Sequence, residues 1–136
     1  MRQNCSNTKM RKQYHLWSAN GGLDAWDVDR LVELSRDFPV KQVALSSIWE
    51  LDTAYWSQPL TVREVADHVR LVQAVDPIYP IILGADGRVM DGMHRVVLAL
   101  LEGRETISAV QFDVQPEPDF RDCDPSRLPY PDDASD

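Results

Sequence analysis

Long apolar runs are missing from this chain of 136 residues, cysteine is scarce, and positive charge is in the minority. No stretch approaches the roughly 18 uninterrupted apolar residues of a membrane-spanning helix, so we expect no membrane span. Basic residues near the N-terminus are not followed by an apolar run, and we therefore expect no secretory signal. Hydrophobic residues still make up 43% of the chain, which is enough for the core of one domain.

Cys5 and Cys123 are the two cysteines of the chain. A cross-link between them is one interpretation, but their number and placement favour two free thiols in a cytoplasmic protein. No set of cysteines and histidines has the spacing of a zinc site, and the sequence suggests no Ser-His-Asp arrangement. These absences argue against zinc chemistry and serine-hydrolase chemistry.

The net charge of −8 is unevenly distributed along the chain. Residues 1–12 carry four basic residues and no acid, whereas residues 113–136 carry eight acids and two arginines. An acidic body argues against broad contact with nucleic acid, which needs a basic surface, so we expect DNA not to be a partner. The basic head could contact a phosphate backbone, although a solvated segment is the favoured interpretation.

Composition divides the chain into three parts. We expect residues 1–23 to be a flexible basic segment and residues 24–113 to form a single domain. The remaining residues, 114–136, are acidic and rich in proline, which predicts an extended or disordered tail that could bind a protein partner.

Hydrophobic periodicity predicts an α+β domain. A helix capped by Asp24 or Asp27 is expected to run to about Asp37, and a strand to span residues 40–45. Thr61 and Glu64 form a capping-box pattern at the start of a second helix. The predicted order is helix, strand, an irregular aromatic segment, helix, strand, strand, helix and strand, which favours a small mixed β-sheet packed with helices.

The stretch from Pro80 to Phe112 is the most informative part of the sequence. Asp86-Gly87 predicts a hairpin turn between two short strands, because glycine takes positive φ without steric cost. The residues Asp91-Gly92-Met93-His94-Arg95 follow, and then an apolar helix that we expect to be buried on most sides and to stop at Gly103. Residues 91–95 therefore lie where a strand ends and a helix begins, which is a favourable place to bind an anion.

The phrase PIILGADGRVMDGMHRVVLALLEG, together with the order of elements, resembles the ParB/sulfiredoxin superfamily over roughly residues 27–112. The Asp-Gly-x-His-Arg motif at Asp91–Arg95 looks closest to that of free-serine kinases and related small ParB-like proteins. Sulfiredoxins carry a cysteine where this chain has Met93, so the resemblance does not imply thiol chemistry. We expect no helix-turn-helix or dimerisation region of the segregation-ParB type after Phe112, which argues against a DNA-partitioning role.

The resemblance implies that Gly92, Met93, His94 and Arg95 bind the phosphate groups of a nucleotide. Arginine offers a fork of donors that fits phosphate, and histidine can donate from one ring nitrogen. The alternative is a capping histidine and a surface arginine paired with Asp91. For Asp91 itself we weigh two roles equally, a ligand of Mg²⁺ beside the nucleotide and a cap of the following helix.

In kinase-like members of the superfamily, a glutamate after the first strand acts as general base. Glu50 lies in the comparable stretch, and Asp52 competes for this role; the alternative is that Glu50 is an exposed acid on a loop. Trp49, Tyr55 and Trp56 nearby could wall a pocket or belong to the core.

Two histidines outside the motif receive ordinary interpretations. We expect His68 to be exposed on its helix, and His15 to lie in the flexible head.

These expectations combine into one functional hypothesis and two alternatives. The hypothesis is a nucleotide- or phosphate-binding protein that uses an ATP, ADP or CTP type of nucleotide with Mg²⁺. If it is an enzyme, the expected reaction is phosphoryl transfer to a small hydroxylated substrate. The first alternative is a non-catalytic adaptor or regulator that keeps the fold, and the second is a DNA-partitioning factor.

Overall fold

The computed structural model describes residues 13–19, 22–56, 60–124 and 127–129. These residues form a small α+β protein with mixed strand directions, which confirms the predicted class. The strands are β1 (Tyr14–Ala19), β2 (Gly22–Asp27), β3 (Lys41–Ala44), β4 (Ile81–Leu83), β5 (Val89–Asp91), β6 (Thr106–Gln111) and β7 (Phe120–Cys123). The helices are α1 (Val28–Leu34), α2 (Val62–Ala74) and α3 (Met93–Leu101).

A four-stranded sheet in the order β3-β6-β4-β5 carries the main core. Strands β4 and β6 are parallel and are connected through β5 and α3, while the other neighbours are antiparallel. One face of α3 packs on this sheet through Met93, Val96 and Ala99, which all belong to the main hydrophobic cluster. The sheet and α3 therefore hold the start of the helix in a fixed position beside the end of β5.

A second sheet, in the order β1-β2-β7, corrects two expectations. Strand β1 lies in the segment that we expected to be flexible, and β7 lies in the tail that we expected to be extended or disordered. Both pair with β2 in antiparallel register. The cause is tertiary pairing, which buries Trp26 and Ala25 and lets the indole N–H of Trp26 donate to the Pro116 carbonyl at 2.7 Å.

The first helix is shorter than predicted. Asp24 lies inside β2, and Asp27 is the N-cap, accepting a hydrogen bond from the Asp29 amide at 2.9 Å. The helix ends at Leu34 rather than near Asp37. Asp27 was therefore the correct choice between the two candidate caps.

The capping box at the start of α2 is confirmed. The Glu64 amide donates to the Thr61 hydroxyl at 3.1 Å, and the Thr61 amide donates to the Glu64 carboxylate at 2.8 Å. The apolar face of this helix is mostly uncovered, because Val62, Val65 and Val69 are exposed in the structure. None of the helices in the described ranges is long and apolar enough to cross a membrane.

The turns around β5 and α3 follow the sequence prediction. Gly87 has a φ of 91° in the hairpin between β4 and β5, and Gly103 has a φ of 73° just after α3. The last turn of α3 differs from the predicted burial, since Leu100 and Leu101 are exposed. The helix is therefore buried along one face and not on most sides as we expected.

Candidate functional site

The junction predicted at Asp91–Arg95 is present. Strand β5 ends at Asp91, Gly92 is the N-cap with a φ of 101°, and α3 begins at Met93. No side chain caps this helix. Because the first amides of an α-helix have no acceptor inside the helix, they give this end a partial positive charge.

The Arg95 side chain lies back over the N-cap of its own helix. A Cβ atom placed on Gly92 would lie 2.7 Å from Arg95 Nη2 and 2.8 Å from the Ile81 side chain. Both the positive φ and the space beside the guanidinium therefore require glycine at position 92. The guanidinium and the start of α3 form one compact region of positive charge.

Asp91 pairs with this guanidinium. Its carboxylate accepts a hydrogen bond from Arg95 Nη2 at 3.0 Å, while Arg95 Nε is buried without a hydrogen-bond partner in the described part of the chain. The alternative of a surface arginine paired with Asp91 is half right: the ion pair forms, but the Arg95 side chain is only 11% exposed. The N-cap is Gly92, so Asp91 does not occupy the capping position.

His94 is held by contacts with α2. His94 Nε2 and His68 Nδ1 are 2.7 Å apart, and Trp56 stacks on the His94 ring with centroids 4.9 Å apart. Burial, followed by the neighbouring His68 and Arg95, lowers the pKa of His94 to about 4. At pH 7 the imidazole is therefore neutral, and it can offer an anion one N–H at most.

Two further expectations on this helix pair need correction. His68 is not simply exposed, because its ring is half-buried between α2 and α3 and also packs against Trp56 at 4.4 Å. The Met93 side chain lies in the hydrophobic core, so only its backbone could contact a ligand. Trp56, which we expected either in a pocket or in the core, packs on both histidines.

Glu50 is one of the most buried charged residues in the described chain. Its side chain is 5% exposed and accepts a hydrogen bond from the Val89 amide at 2.6 Å. Burial raises the pKa of Glu50, while the hydrogen bond from Val89 and the charge of Arg88 act in the opposite direction. The interpretation of Glu50 as an exposed acid is wrong, whereas its competitor Asp52 is exposed.

Tyr55 connects Glu50 with the histidine pair. The Tyr55 hydroxyl donates to the Val89 carbonyl at 2.6 Å, so Glu50 and Tyr55 bind the two backbone groups of the same residue in β5. The Tyr55 ring contacts Trp56, which in turn stacks on His94. The link between Glu50 and the α3 site is thus an indirect one through packed aromatic rings.

A second polar cluster lies between the two sheets, and sequence reasoning missed it. Arg88 is buried, pairs with Asp86 at 3.1 Å and lies with its guanidinium carbon 4.0 Å from the Trp17 ring centre. Trp49, predicted to be in a pocket or the core, is half exposed and donates to the Asp86 carbonyl at 3.1 Å. No local motif signals this cluster, because its residues come from three separate segments.

His15 belongs to the same cluster and was wrongly assigned to a flexible head. Its ring is buried and packs against Trp17 and Trp26, with centroids 6.2 Å and 5.6 Å apart. Burial, followed by the charge of Arg88, lowers the pKa of His15 to about 4. His15 Nε2 and Arg88 Nη1 are both buried without a hydrogen-bond partner among the residues described.

Side chains that could bind a metal ion are not clustered in the described part of the chain. In the part of the chain that the structure describes, no group of three or more histidine, cysteine, aspartate or glutamate side chains is arranged to hold a metal ion. Asp91, the predicted magnesium ligand, instead forms the ion pair with Arg95. Of the two cysteines, Cys5 lies outside the described residues, and Cys123 is a free thiol.

Comparisons of the chain with protein-family models, with curated proteins and with solved structures gave no significant match.

Proposed function

We propose that this protein binds a phosphate group, as inorganic phosphate or as part of a nucleotide, at the N-terminus of α3. The observation that carries the proposal is the placement of Arg95, whose guanidinium lies beside the uncapped start of its own helix. The backbone amides of Gly92–His94 and the guanidinium would share the anionic oxygens.

Electrostatics support this arrangement. A cation in the first turn of a helix is unfavourable, because the helix dipole is positive at that end. Asp91 offsets part of this cost through its ion pair, but Arg95 Nε has no hydrogen-bond partner in the described chain. An anionic oxygen close to Gly92 would interact with the charge of the guanidinium and would also neutralise the helix end.

The proposal extends to ligand class and fold family. An ATP, ADP or CTP type of nucleotide carries its own Mg²⁺ ligands in its phosphate groups, so the metal would need only one or two carboxylates from the protein. Asp91 is the carboxylate nearest to the proposed phosphate position by sequence. We also propose that the four-stranded sheet with α3 is a ParB/sulfiredoxin-type fold, on the basis of the motif at Asp91–Arg95 and its position between β5 and α3.

Replacing Arg95 by alanine should weaken phosphate binding by at least about tenfold, since a charge-assisted hydrogen bond contributes about 1.5–3 kcal/mol. The measurement is thermal shift with inorganic phosphate and a panel of nucleotides, with and without Mg²⁺. The wild-type protein should be stabilised by about 2.7 kcal/mol when ligand is present at 100 times its Kd. Arg95→Lys should bind with intermediate affinity, because it keeps the charge but not the fork of donors.

Arg36→Ala is the matched control for charge. Arg36 is 65% exposed just after the end of α1 and pairs with Glu33, so its removal should leave phosphate binding unchanged. The proposal fails if no phosphate compound stabilises the wild-type protein at millimolar concentration. It also fails if Arg95→Ala responds as strongly as the wild type does.

Phosphoryl transfer to a small hydroxylated substrate would be an added activity of this site. Its supporting observation is the raised pKa of Glu50, which is a common property of general bases. One oxygen of that carboxylate is already bound to the Val89 amide, and the side chain is buried. Phosphate binding at the start of α3 therefore does not depend on Glu50.

The exposed face of α2 favours a second candidate function, a non-catalytic adaptor. Val62, Val65 and Val69 follow helical spacing and are uncovered, which is typical of a surface that contacts another protein. On this hypothesis the protein would bind its partner through α2, and the acidic tail could contribute further contacts.

Val62→Asp should leave the free energy of unfolding within about 0.5 kcal/mol of the wild-type value or raise it slightly. Val62 is 89% exposed at the first position of α2, where an acid interacts favourably with the helix dipole. Chemical denaturation followed by circular dichroism measures this change. A loss above about 1 kcal/mol would show that the valine is covered in solution and would contradict an uncovered face.

A further inference from the structure

The histidine pair between α2 and α3 provides a further inference, which rests on the proposed anion site. His68 Nδ1 lies 2.7 Å from His94 Nε2, and the two rings stack with centroids 5.0 Å apart. Trp56 packs against both rings and fixes their orientation. His94 is the second residue of α3 and directly precedes Arg95.

Two placements of the ring protons are compatible with the distance of 2.7 Å between His68 Nδ1 and His94 Nε2. A neutral imidazole carries one N–H, so exactly one of the two facing nitrogens can donate. If His68 Nδ1 donates, the proton of His94 is on Nδ1; if His94 Nε2 donates, Nδ1 of His94 is a bare acceptor. The hydrogen bond thus couples the tautomer of His94 to that of His68.

A bound anion favours one of these two placements of the ring protons. Phosphate oxygens in their ionised form accept hydrogen bonds, so His94 can bind them only through an N–H. Its Nε2 faces His68, which leaves Nδ1 as the ring nitrogen for a ligand. The charged neighbours of the pair are Arg95 beside His94 and Glu64 near His68, and the pKa of Glu64 is lowered mainly by its bonds to Thr61 and less by His68.

We propose that His68 is a positioning residue of the anion site. It donates its Nδ1 proton to His94 Nε2 and so places the ring proton of His94 on Nδ1, where a phosphate group at the start of α3 can accept it. His68 would not contact the ligand itself. Its role would be to select the donor tautomer of His94, in the way that a second hydrogen bond sets the tautomer of many functional histidines.

Nitrogen-15 NMR of the imidazole rings tests the tautomers directly. The chain has three histidines, so the spectrum is simple, and His15 serves as an internal reference that lies in the other cluster. With saturating inorganic phosphate at pH 7, His68 and His94 should both carry the proton on Nδ1. A proton on Nε2 of His94 in the phosphate-bound protein would overturn the proposal.

Variants at position 68 test the effect on affinity. His68→Phe keeps a ring but removes both nitrogens, and it should weaken inorganic phosphate binding by about 3- to 10-fold, the effect of one hydrogen bond. His68→Asn should bind phosphate within about twofold of the wild-type affinity. The side-chain amide nitrogen of asparagine is bonded to Cγ, as Nδ1 of histidine is, and so lies at the same distance along the side chain. Arg70→Gln, an exposed change on the same helix, should have no effect.

The outcomes separate this inference from the proposed function. If the wild-type protein does not bind phosphate, the proposed function fails and this inference fails with it. If the wild type binds and His68→Phe binds equally well, only the role of His68 is overturned. Melting temperatures without phosphate detect a purely structural role of His68. In that case His68→Phe would lower stability and leave the His94 tautomer in the bound state unchanged.

Discussion

Glu50→Ala is expected to lower the free energy of unfolding by about 2–4 kcal/mol. The substitution removes the acceptor of the Val89 amide in β5, which lies at 2.6 Å, and it leaves a cavity in the interior. Equilibrium unfolding in urea at pH 7, followed by circular dichroism, measures the loss.

Glu50→Gln is the matched comparison, because its side-chain carbonyl can still accept from Val89. It should retain most of the stability at pH 7. Burial raises the pKa of Glu50, so the protonation of this group adds stability at low pH that is lost as pH rises through the raised pKa, whereas the hydrogen bond from Val89 remains at pH 7. Glu50→Gln cannot titrate, so its stability relative to the wild type should increase as pH rises. Equal losses for both variants would contradict a role as hydrogen-bond acceptor.

Acidification from pH 6.5 towards pH 4 is expected to destabilise the protein, with His15 contributing up to about 3 kcal/mol. Burial lowers the pKa of His15 from 6.5 to about 4, so the unfolded chain binds a proton that the native state excludes. The contribution of His15 to stability is therefore full above pH 6.5 and is lost as pH falls through this window. The pKa of His94 is lowered to about 4 as well, which adds an effect of the same sign.

His15→Phe separates the contribution of His15 to the pH dependence of stability from that of His94. Phenylalanine keeps a ring between Trp17 and Trp26 but cannot titrate, so the free energy of unfolding should depend less steeply on pH between 4 and 6.5. Denaturation curves at several pH values measure the slope for each protein. Parallel profiles for His15→Phe and the wild type would show that His15 does not take up a proton on unfolding.

Local sequence signals predicted the elements that depend on local physics. The Thr61–Glu64 capping box, the hairpin turn at Asp86-Gly87 and the stop at Gly103 are each set by hydrogen bonds or φ values within a few residues. The strand-to-helix junction at Asp91–Arg95 was predicted for the same reason. These features needed no knowledge of the rest of the fold.

Features that depend on distant pairing were missed. Strand β7 joins β2 through pairs such as Leu23 with Cys123, which are 100 positions apart, so no periodicity in a short window shows them. His68 and His94 likewise come from two helices and meet only because α2 packs on α3. Glu50 was singled out as a candidate general base, but sequence could not show that it is buried against Val89.

Binding of phosphate at the start of α3 can be followed by proton–nitrogen NMR of the backbone amides during titration with inorganic phosphate and with a nucleotide. We expect saturable shifts for the amides of Gly92–Val96, and the loss of these shifts in Arg95→Ala. Phosphate binding at this site would be contradicted if these amides stayed unchanged at millimolar ligand, or if the shifts were confined to other parts of the chain.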